Sequence, residues 1–175
     1  MELKEAIFNR RSIRSFLEKP VGRELIKEIM YAGIHAPTGG NIQPWAFVGI
    51  SDPLVIKKIR VISPGMLDEP AAVICVYSDQ KKAFEKAGKT GEVLALMDCA
   101  MAAQNIMLRA FDLGLGTCVI RSFNQSAVRV ITGAPEHMRP ELLIATGYTD
   151  EKPALPARDT GVIYMEAYGR RGAKK

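Results

Sequence analysis

The chain has 175 residues, of which 47% are hydrophobic and 25% are charged, with a formal net charge of +5. These values are typical of one soluble globular domain, and a mild positive charge spread along the chain does not favour a dedicated nucleic-acid-binding arm. The three cysteines, Cys75, Cys99 and Cys118, lie in apolar contexts without CxxC spacing. We therefore expect no disulfide framework and no metal site. The first residues lack a signal-peptide pattern, so we expect a cytoplasmic protein.

The first third of the chain is predicted to contain helices and one buried strand. Apolar residues recur at helical spacing before and after an arginine-rich stretch, and Trp45–Ile50 is short, apolar and aromatic-rich, as in a buried strand. Asp52 followed by Pro53 is typical of a helix start. In chain order, the pattern predicts helices over residues 2–9 and 23–34, a strand over 45–50 and a helix over 54–62.

The remainder of the chain continues the alternation of strands and helices. The longest predicted helix, Glu92–Phe111, is apolar nearly all round, which indicates burial in the core or against a partner chain. Asp98 and other polar residues interrupt it, so we do not expect it to span a membrane. The other predicted elements are strands over 71–77, 114–120 and 141–148, a short helical piece beginning at Asp79, and a helix over 125–131.

This order of elements predicts an α+β fold of three layers, in which helices flank a mixed central sheet. No linker or internal repeat divides the chain, so residues 1–175 are predicted to form one domain. Pro153 and Pro156 mark an extended C-terminal arm that begins at about residue 150. The glycine-containing basic end, residues 169–175, is predicted to be flexible.

Three arginines and two serines fall within six residues near the start of the chain, namely Arg10, Arg11, Ser12, Arg14 and Ser15. Arginine forks bind phosphate bidentately and stay protonated, so this stretch is a candidate receptor for a dianion. If the stretch is extended, Arg10, Ser12 and Arg14 share one side and Ile13 anchors the other. A solvated basic surface is the alternative interpretation.

A second polar stretch, residues 36–45, reads Ala-Pro-Thr-Gly-Gly-Asn-Ile-Gln-Pro-Trp. Its prolines and glycines specify a backbone shape. Thr38, Asn41 and Gln43 supply hydroxyl and amide groups that suit the polar edge of a ring system. A purely structural turn is the alternative interpretation.

Other common catalytic patterns are missing from the sequence. Gly114-Leu-Gly116 follows a predicted helix and lacks the third glycine of a dinucleotide-binding fingerprint. Cys118 is a poor candidate nucleophile, because the only histidines are His35 and His137 and a buried structural thiol fits better. We therefore predict no catalytic acid, base or nucleophile, and infer that a cofactor performs the chemistry.

At these residues the sequence resembles the nitroreductase family of FMN-dependent oxidoreductases. The resemblance rests on residues 10–16, on residues 36–45 and on the long helix that runs into Gly114–Ile120. It covers nearly the whole chain. Thr38 stands where serine is commoner in the family, and Arg121-Ser122 stands where many members have an acidic residue followed by glycine.

The resemblance implies an interlocked homodimer, joined through the long helix, with FMN at the subunit interface. Arg10, Ser12 and Arg14 would hold the phosphate and ribityl chain or the pyrimidine side, while the partner subunit contributes its loop to the ring system. The residues that the resemblance assigns to the cofactor are Arg10, Arg11, Ser12, Arg14 and Arg158, then Pro37, Thr38 and Asn41, then Cys118, Val119, Ile120 and Arg121.

The implied reaction is a ping-pong hydride transfer, in which NADH or NADPH reduces FMN and an acceptor such as a nitroaromatic or quinone then takes the donor's place. Guanidinium charge and backbone N–H groups would stabilise the reduced ring electrostatically. Two alternatives remain open. One is another flavin chemistry, such as dehydrogenation, dehalogenation or flavin fragmentation, and the other is a basic nucleic-acid-binding module.

Overall fold

The computed structural model describes residues 1–170, and within them five helices surround a four-stranded sheet. Short 3-10 turns occur at Gly39–Asn41 and Thr160–Val162. Most of the predicted flexible end, residues 169–175, lies outside the described residues. The elements in chain order are α1 (Leu3–Asn9), α2 (Arg23–Gly33), β1 (Trp45–Ile50), α3 (Pro53–Val61), β2 (Ala72–Asp79), α4 (Gln80–Asp112), β3 (Gly116–Ile120), α5 (Gln125–Thr132) and β4 (Met138–Gly147).

The four strands pair antiparallel in the order β1-β2-β4-β3. A parallel bridge joins Ser12 to Thr117 at the outer edge of β3, so the arginine-rich stretch adds a parallel element to the sheet. Strand β4 begins three residues before the predicted start, because Met138 and Arg139 pair with Asp79 and Ser78 beyond a bulge at Val76/Tyr77. Arg139 and Pro140 are untypical of a strand, so the sequence pattern did not predict this extension.

The central strands are buried on both faces, which produces three layers. Ile74 and Ile144 on one face pack with residues of α2 and α4 such as Ile29 and Ile106. On the other face, a second apolar cluster joins the sheet to α3 and α5. Side chains that alternate across a strand fill both clusters from the same strands. The predicted α+β class, with helices on both faces of the sheet, is confirmed.

Helix starts follow the local capping chemistry. The Asp52 carboxylate accepts a hydrogen bond from Leu54 N (2.8 Å), and Asp79 accepts one from Lys82 N (2.9 Å). These contacts satisfy backbone N–H groups that have no partner in the first turn of a helix. The predicted helix start at Asp52-Pro53 is confirmed.

Helix α4 consists of two straight pieces that meet at Gly88. This residue has φ 58° and ψ −145°, a conformation that is essentially restricted to glycine. A Cβ on Gly91 would stand 2.1 Å from Ala83 O, so the two pieces pack closely. The short piece before Gly88 and the long piece after it match the two predicted helices. By length and composition α4 could cross a membrane, yet residues such as Ala103 and Ile106 place one of its faces in the core.

Candidate functional site

The arginine-rich stretch lies against the outer edge of β3. Ile13 N donates a hydrogen bond to Thr117 O (2.9 Å) beside the Ser12 bridge to the same residue. The Ile13 side chain is buried next to Gly116, while Ser12 is half-buried and Arg14 is exposed. An apolar anchor therefore holds the stretch on the sheet. Arg10 and Arg11 line a cavity together with Ile13, whereas Ser12 and Arg14 do not line it, so the shared side expected for Arg10, Ser12 and Arg14 stays a prediction.

A carboxylate from the C-terminal arm fixes the other end of this stretch. Glu151 Oε2 accepts hydrogen bonds from Arg14 N (2.7 Å) and Ser15 N (2.9 Å). Thr149 Oγ1 donates to Ser15 O (2.8 Å) and accepts from Glu151 N (2.9 Å). Sequence reasoning missed Glu151 and Thr149, because their partners lie more than 130 positions away and no local pattern indicates the contact.

Arg10, Arg11, Arg14 and Arg158 form a positively charged group that we call the arginine cluster. Burial lowers the pKa of Arg10, and repulsion from Arg11 and Arg158 lowers it further. Within the described residues, Nε of Arg10 and Nε of Arg11 are buried without a hydrogen-bond partner. Buried guanidinium N–H groups among like charges are costly unless an anion compensates them. The cluster therefore fits a phosphate dianion.

Strand β3 passes beside the arginine cluster. Cys118 is buried, and burial raises its thiol pKa, which the Arg14 and Arg10 charges partly oppose. The thiol is thus protonated near neutral pH and acts as a packing residue. Val119 is partly exposed, whereas Ile120 is buried. Arg121 is exposed beyond the strand end, with its guanidinium 5.8 Å from the centre of the Phe123 ring.

Residues 37–43, which we call the amide loop, adopt an unusual backbone. Asn41 has φ 54° and Gln43 has φ 52°, and both follow Gly40, which has φ 57°. Positive φ is uncommon for residues other than glycine, and the loop compensates for it with internal hydrogen bonds. Gln43 N donates to Thr38 Oγ1 (3.3 Å), and Gln43 Nε2 donates to Asn41 Oδ1 (2.8 Å).

Residues of helix α4 hold the amide loop in place. Gly39 N donates to Asp98 Oδ1 (3.1 Å), and Gly39 packs on Leu94, one turn before Asp98. At the far end of the loop, Lys82 Nζ donates to Gln43 O (2.9 Å). Asp98 was treated in the sequence only as an interruption of an apolar helix. The available signal was that Asp98 is a lone carboxylate among apolar residues of a buried helix, where it needs a hydrogen-bond donor such as a backbone N–H.

Asp98 is only 1% exposed, and its Oδ2 atom has no hydrogen-bond partner within the described residues. Burial raises the pKa of this carboxyl group, and the hydrogen bond from Gly39 N partly offsets that effect. An unpaired buried carboxylate oxygen costs free energy. Asp98 lies at the base of the amide loop, which suits a role in positioning the loop. The free energy that burying a carboxylate costs explains why such a residue is rare in a core.

Two members of the arginine cluster, Arg10 and Arg11, line a different cavity from the amide loop of the same chain. The first cavity, about 280 Å³, is lined by Arg10 and Arg11 with Thr117 and Glu151. The second, about 480 Å³, is lined by residues 39–43 and the start of α4. No residue lines both. No group of side chains in residues 1–170 has the composition of a metal site.

Comparison with known proteins identifies the family to which this fold and these two polar regions belong. A model of the Nitroreductase family matches residues 7–63 and 57–148. The chain belongs to the nitroreductase family, and the resemblance seen in the sequence is confirmed.

Three relatives illustrate the match. An Archaeoglobus fulgidus protein, named as a candidate NADH dehydrogenase/NAD(P)H nitroreductase, is 33% identical over 165 residues, or 90% of this chain and 92% of that protein. A Bacillus subtilis FMN reductase (NADPH) is 30% identical over 93% of this chain and 72% of its own. A crystal structure from Bacteroides thetaiotaomicron, with the same kind of name as the first, has a TM-score of 0.81 and 32% identity over 95% of this chain and 98% of its own.

Proposed function

We propose that this protein is an FMN-dependent oxidoreductase that uses NADH or NADPH to reduce nitroaromatic, quinone or similar acceptors. The observation that carries the proposal is the arginine cluster, in which the buried Nε atoms of Arg10 and Arg11 have no hydrogen-bond partner within the described residues, while Arg11 Nη1 donates to Phe8 O and Arg10 O. A bound anion would compensate the two Nε atoms. Family membership and the relatives named for NAD(P)H and FMN support it. FMN, when bound, supplies the redox chemistry by accepting a hydride from the nucleotide and passing electrons to the acceptor.

In this proposal the arginine cluster holds the FMN phosphate. Arg10 and Arg11 present partly buried guanidinium groups, and Arg158 adds charge from the C-terminal arm. Ser12, which is half-buried, would contribute a hydroxyl, and Glu151 fixes the backbone of Arg14. Charge-assisted hydrogen bonds between guanidinium and phosphate are stronger than neutral ones, so this region supplies most of the cofactor affinity.

The amide loop serves the ring system, and it does so across a dimer interface. Pro37, Thr38 and Asn41 would approach the flavin of the partner subunit, because the loop lines a different cavity from two members of the arginine cluster of its own chain. The fixed loop backbone would hold its hydroxyl and amide groups ready for the polar ring edge. Dimerisation is then a condition for building each complete site.

An exposed apolar face of α4 supports the homodimer. Val93 and Met97 are 59% and 55% exposed in the single chain, and Leu96 and Met101 are also partly exposed. We call these four residues the dimer stripe. The opposite face of α4 is already in the core, so the stripe is a second apolar face of one helix. A contiguous apolar patch of this kind marks a protein–protein contact.

Strand β3 and the residues after it would run along the flavin. Cys118, Val119 and Ile120 present backbone and small apolar groups, and burial raises the pKa of the Cys118 thiol, the one titratable side chain among them. The residues of this region therefore bind and orient, and no side chain needs to transfer a proton. Arg121 follows the strand as an exposed positive charge near the site. We further propose that residues 1–175 form one cytoplasmic domain whose C-terminal arm begins at about residue 150.

The test of this function is the visible spectrum of the purified protein. We expect flavin absorbance bands, one FMN per chain, and bleaching on anaerobic addition of NADH or NADPH. Reoxidation by a quinone or nitroaromatic should follow with ping-pong kinetics. A colourless protein that does not take up added FMN would contradict the proposal. A bound flavin that neither nucleotide reduces would indicate another flavin chemistry.

A further inference from the structure

The cavity beside the amide loop contains two lysines from the short first piece of α4. Residues 39–43 form one wall, and Lys82, Lys86 and Leu94 contribute the other. We call this cavity the lysine pocket. Its volume of about 480 Å³ lies in the range of small-molecule sites, and its lining contains no acidic residue.

Lys82 and Lys86 lie on one helical face. They are four positions apart and therefore lie one above the other on the helix. Their neighbour Lys81 lies 4.0 Å from Glu85, measured between Nζ and Oε1, in an exposed ion pair. Lys82 Nζ donates to the neutral carbonyl oxygen of Gln43, and Lys86 makes no ion pair within residues 1–170. The pocket is therefore a site of positive potential.

The break in α4 fixes this face against the loop. The glycine-specific conformation at Gly88 redirects the helix, and the close approach of Gly91 to Ala83 O holds the short piece against the long one. Because the amide loop is attached to both pieces, through Lys82 and Asp98, the pocket is a defined cavity. Lys82 is thereby held against the loop, while the Lys86 side chain is exposed at the pocket edge.

We propose that the lysine pocket binds a phosphate group of the nicotinamide dinucleotide that donates electrons. The inference rests on the proposed function, in which Thr38 and Asn41 of this loop lie against the flavin. The lysine pocket shares residues 39–43 with that loop, so it lies next to the proposed flavin contacts. Two lysines attract a phosphate strongly as point charges.

The 2′-phosphate of NADPH is the group that gains most from this pocket. A phosphate monoester carries between one and two negative charges at neutral pH and offers three acceptor oxygens. NADH lacks this group but shares the pyrophosphate. The lysine pocket therefore makes NADPH the preferred donor if it binds the 2′-phosphate, and it serves both donors equally if it binds the pyrophosphate.

The test compares Lys86→Ala with Lys89→Ala, which removes an exposed lysine that lies beyond Gly88 and outside the pocket lining. Dissociation constants for NADPH and NADH come from the anaerobic reductive half-reaction. Direct titration with adenosine 2′,5′-bisphosphate supplies a reading that needs no catalysis. We expect Lys86→Ala to weaken NADPH and the bisphosphate about five- to tenfold and NADH less than twofold, since a charged hydrogen bond is lost.

The outcomes separate the alternatives. Equal weakening of NADPH and NADH supports the lysine pocket and assigns it to the pyrophosphate. Unchanged constants for both donors, equal shifts in Lys89→Ala, or an effect limited to the acceptor half-reaction would overturn it. Flavin content tests the proposed function separately. The titration with adenosine 2′,5′-bisphosphate needs no flavin, so it tests phosphate binding in the lysine pocket even if the parent protein contains no FMN.

Discussion

The arginine cluster and the amide loop differ in charge, in backbone conformation and in the contacts that fix them. The arginine cluster is charged, lies at a sheet edge, and is fixed by contacts between the two ends of the chain, such as Glu151 with Arg14. The amide loop is neutral, has a strained backbone, and is fixed by the helix that carries Asp98. In the proposed function, charge would supply affinity in the first region, whereas a preset backbone would supply geometry in the second.

The largest predicted effect comes from a substitution that prevents dimerisation and so separates the two regions of each proposed site. Met97→Glu places a carboxylate in the dimer stripe, and burying an unpaired charge costs several kcal/mol, so dimerisation should fail. In the proposed function each complete site needs two chains, so FMN should be lost at the same time. Analytical ultracentrifugation and the flavin spectrum measure the two effects. Val61→Glu, at an 86% exposed position of α3, is the matched control and should change neither.

The next effect isolates the arginine cluster. Arg10→Ala removes charge-assisted hydrogen bonds to the phosphate, and FMN affinity should fall roughly ten- to hundredfold. Titration of the flavin-free protein with FMN measures this change. Riboflavin lacks the phosphate and should bind the parent and the variant alike. A variant that loses affinity for both ligands would place Arg10 against the ring system instead.

A smaller effect isolates the support of the amide loop. Asp98→Ala leaves Gly39 N without its acceptor, and FMN affinity should fall about fivefold as the loop shifts. Asp98→Asn keeps an oxygen that accepts the same hydrogen bond, so affinity should stay within twofold of the parent. Equal losses in the two variants would show that the negative charge of Asp98, and not its hydrogen bond, matters for the flavin.

The smallest effect is the pH dependence of stability caused by Asp98. Burial raises its pKa in the folded state, so its contribution to stability is present below the unfolded pKa of about 3.9 and is lost as pH rises through the folded pKa. The free energy of unfolding of the parent minus that of Asp98→Asn should therefore decrease across this window. Urea denaturation of flavin-free protein at several pH values measures it. A difference that increases with pH would mean that a cation faces the carboxylate.

Much of the fold could be predicted from the sequence, because local chemistry decides it. Apolar periodicity and the Asp52-Pro53 cap placed the helices and strands to within a few residues. The two polar stretches were found because prolines, glycines and clustered arginines are local signals. Glu151, Asp98 and the lysine pocket were not found, because they depend on contacts between distant parts of the chain or on the exact direction of α4 after Gly88.

The most direct test of the account is the flavin content of a mixed dimer that pairs an Arg10→Ala chain with an Asn41→Ala chain. If the two regions meet across the interface, one site of this dimer contains both substitutions and the other contains neither. Coexpression with two different affinity tags isolates the mixed dimer, and titration with FMN should then show one tight site of parental affinity per dimer. Two weakened sites, one carrying Arg10→Ala and the other Asn41→Ala, would mean that each chain combines its own arginine cluster with its own amide loop, which would contradict the account.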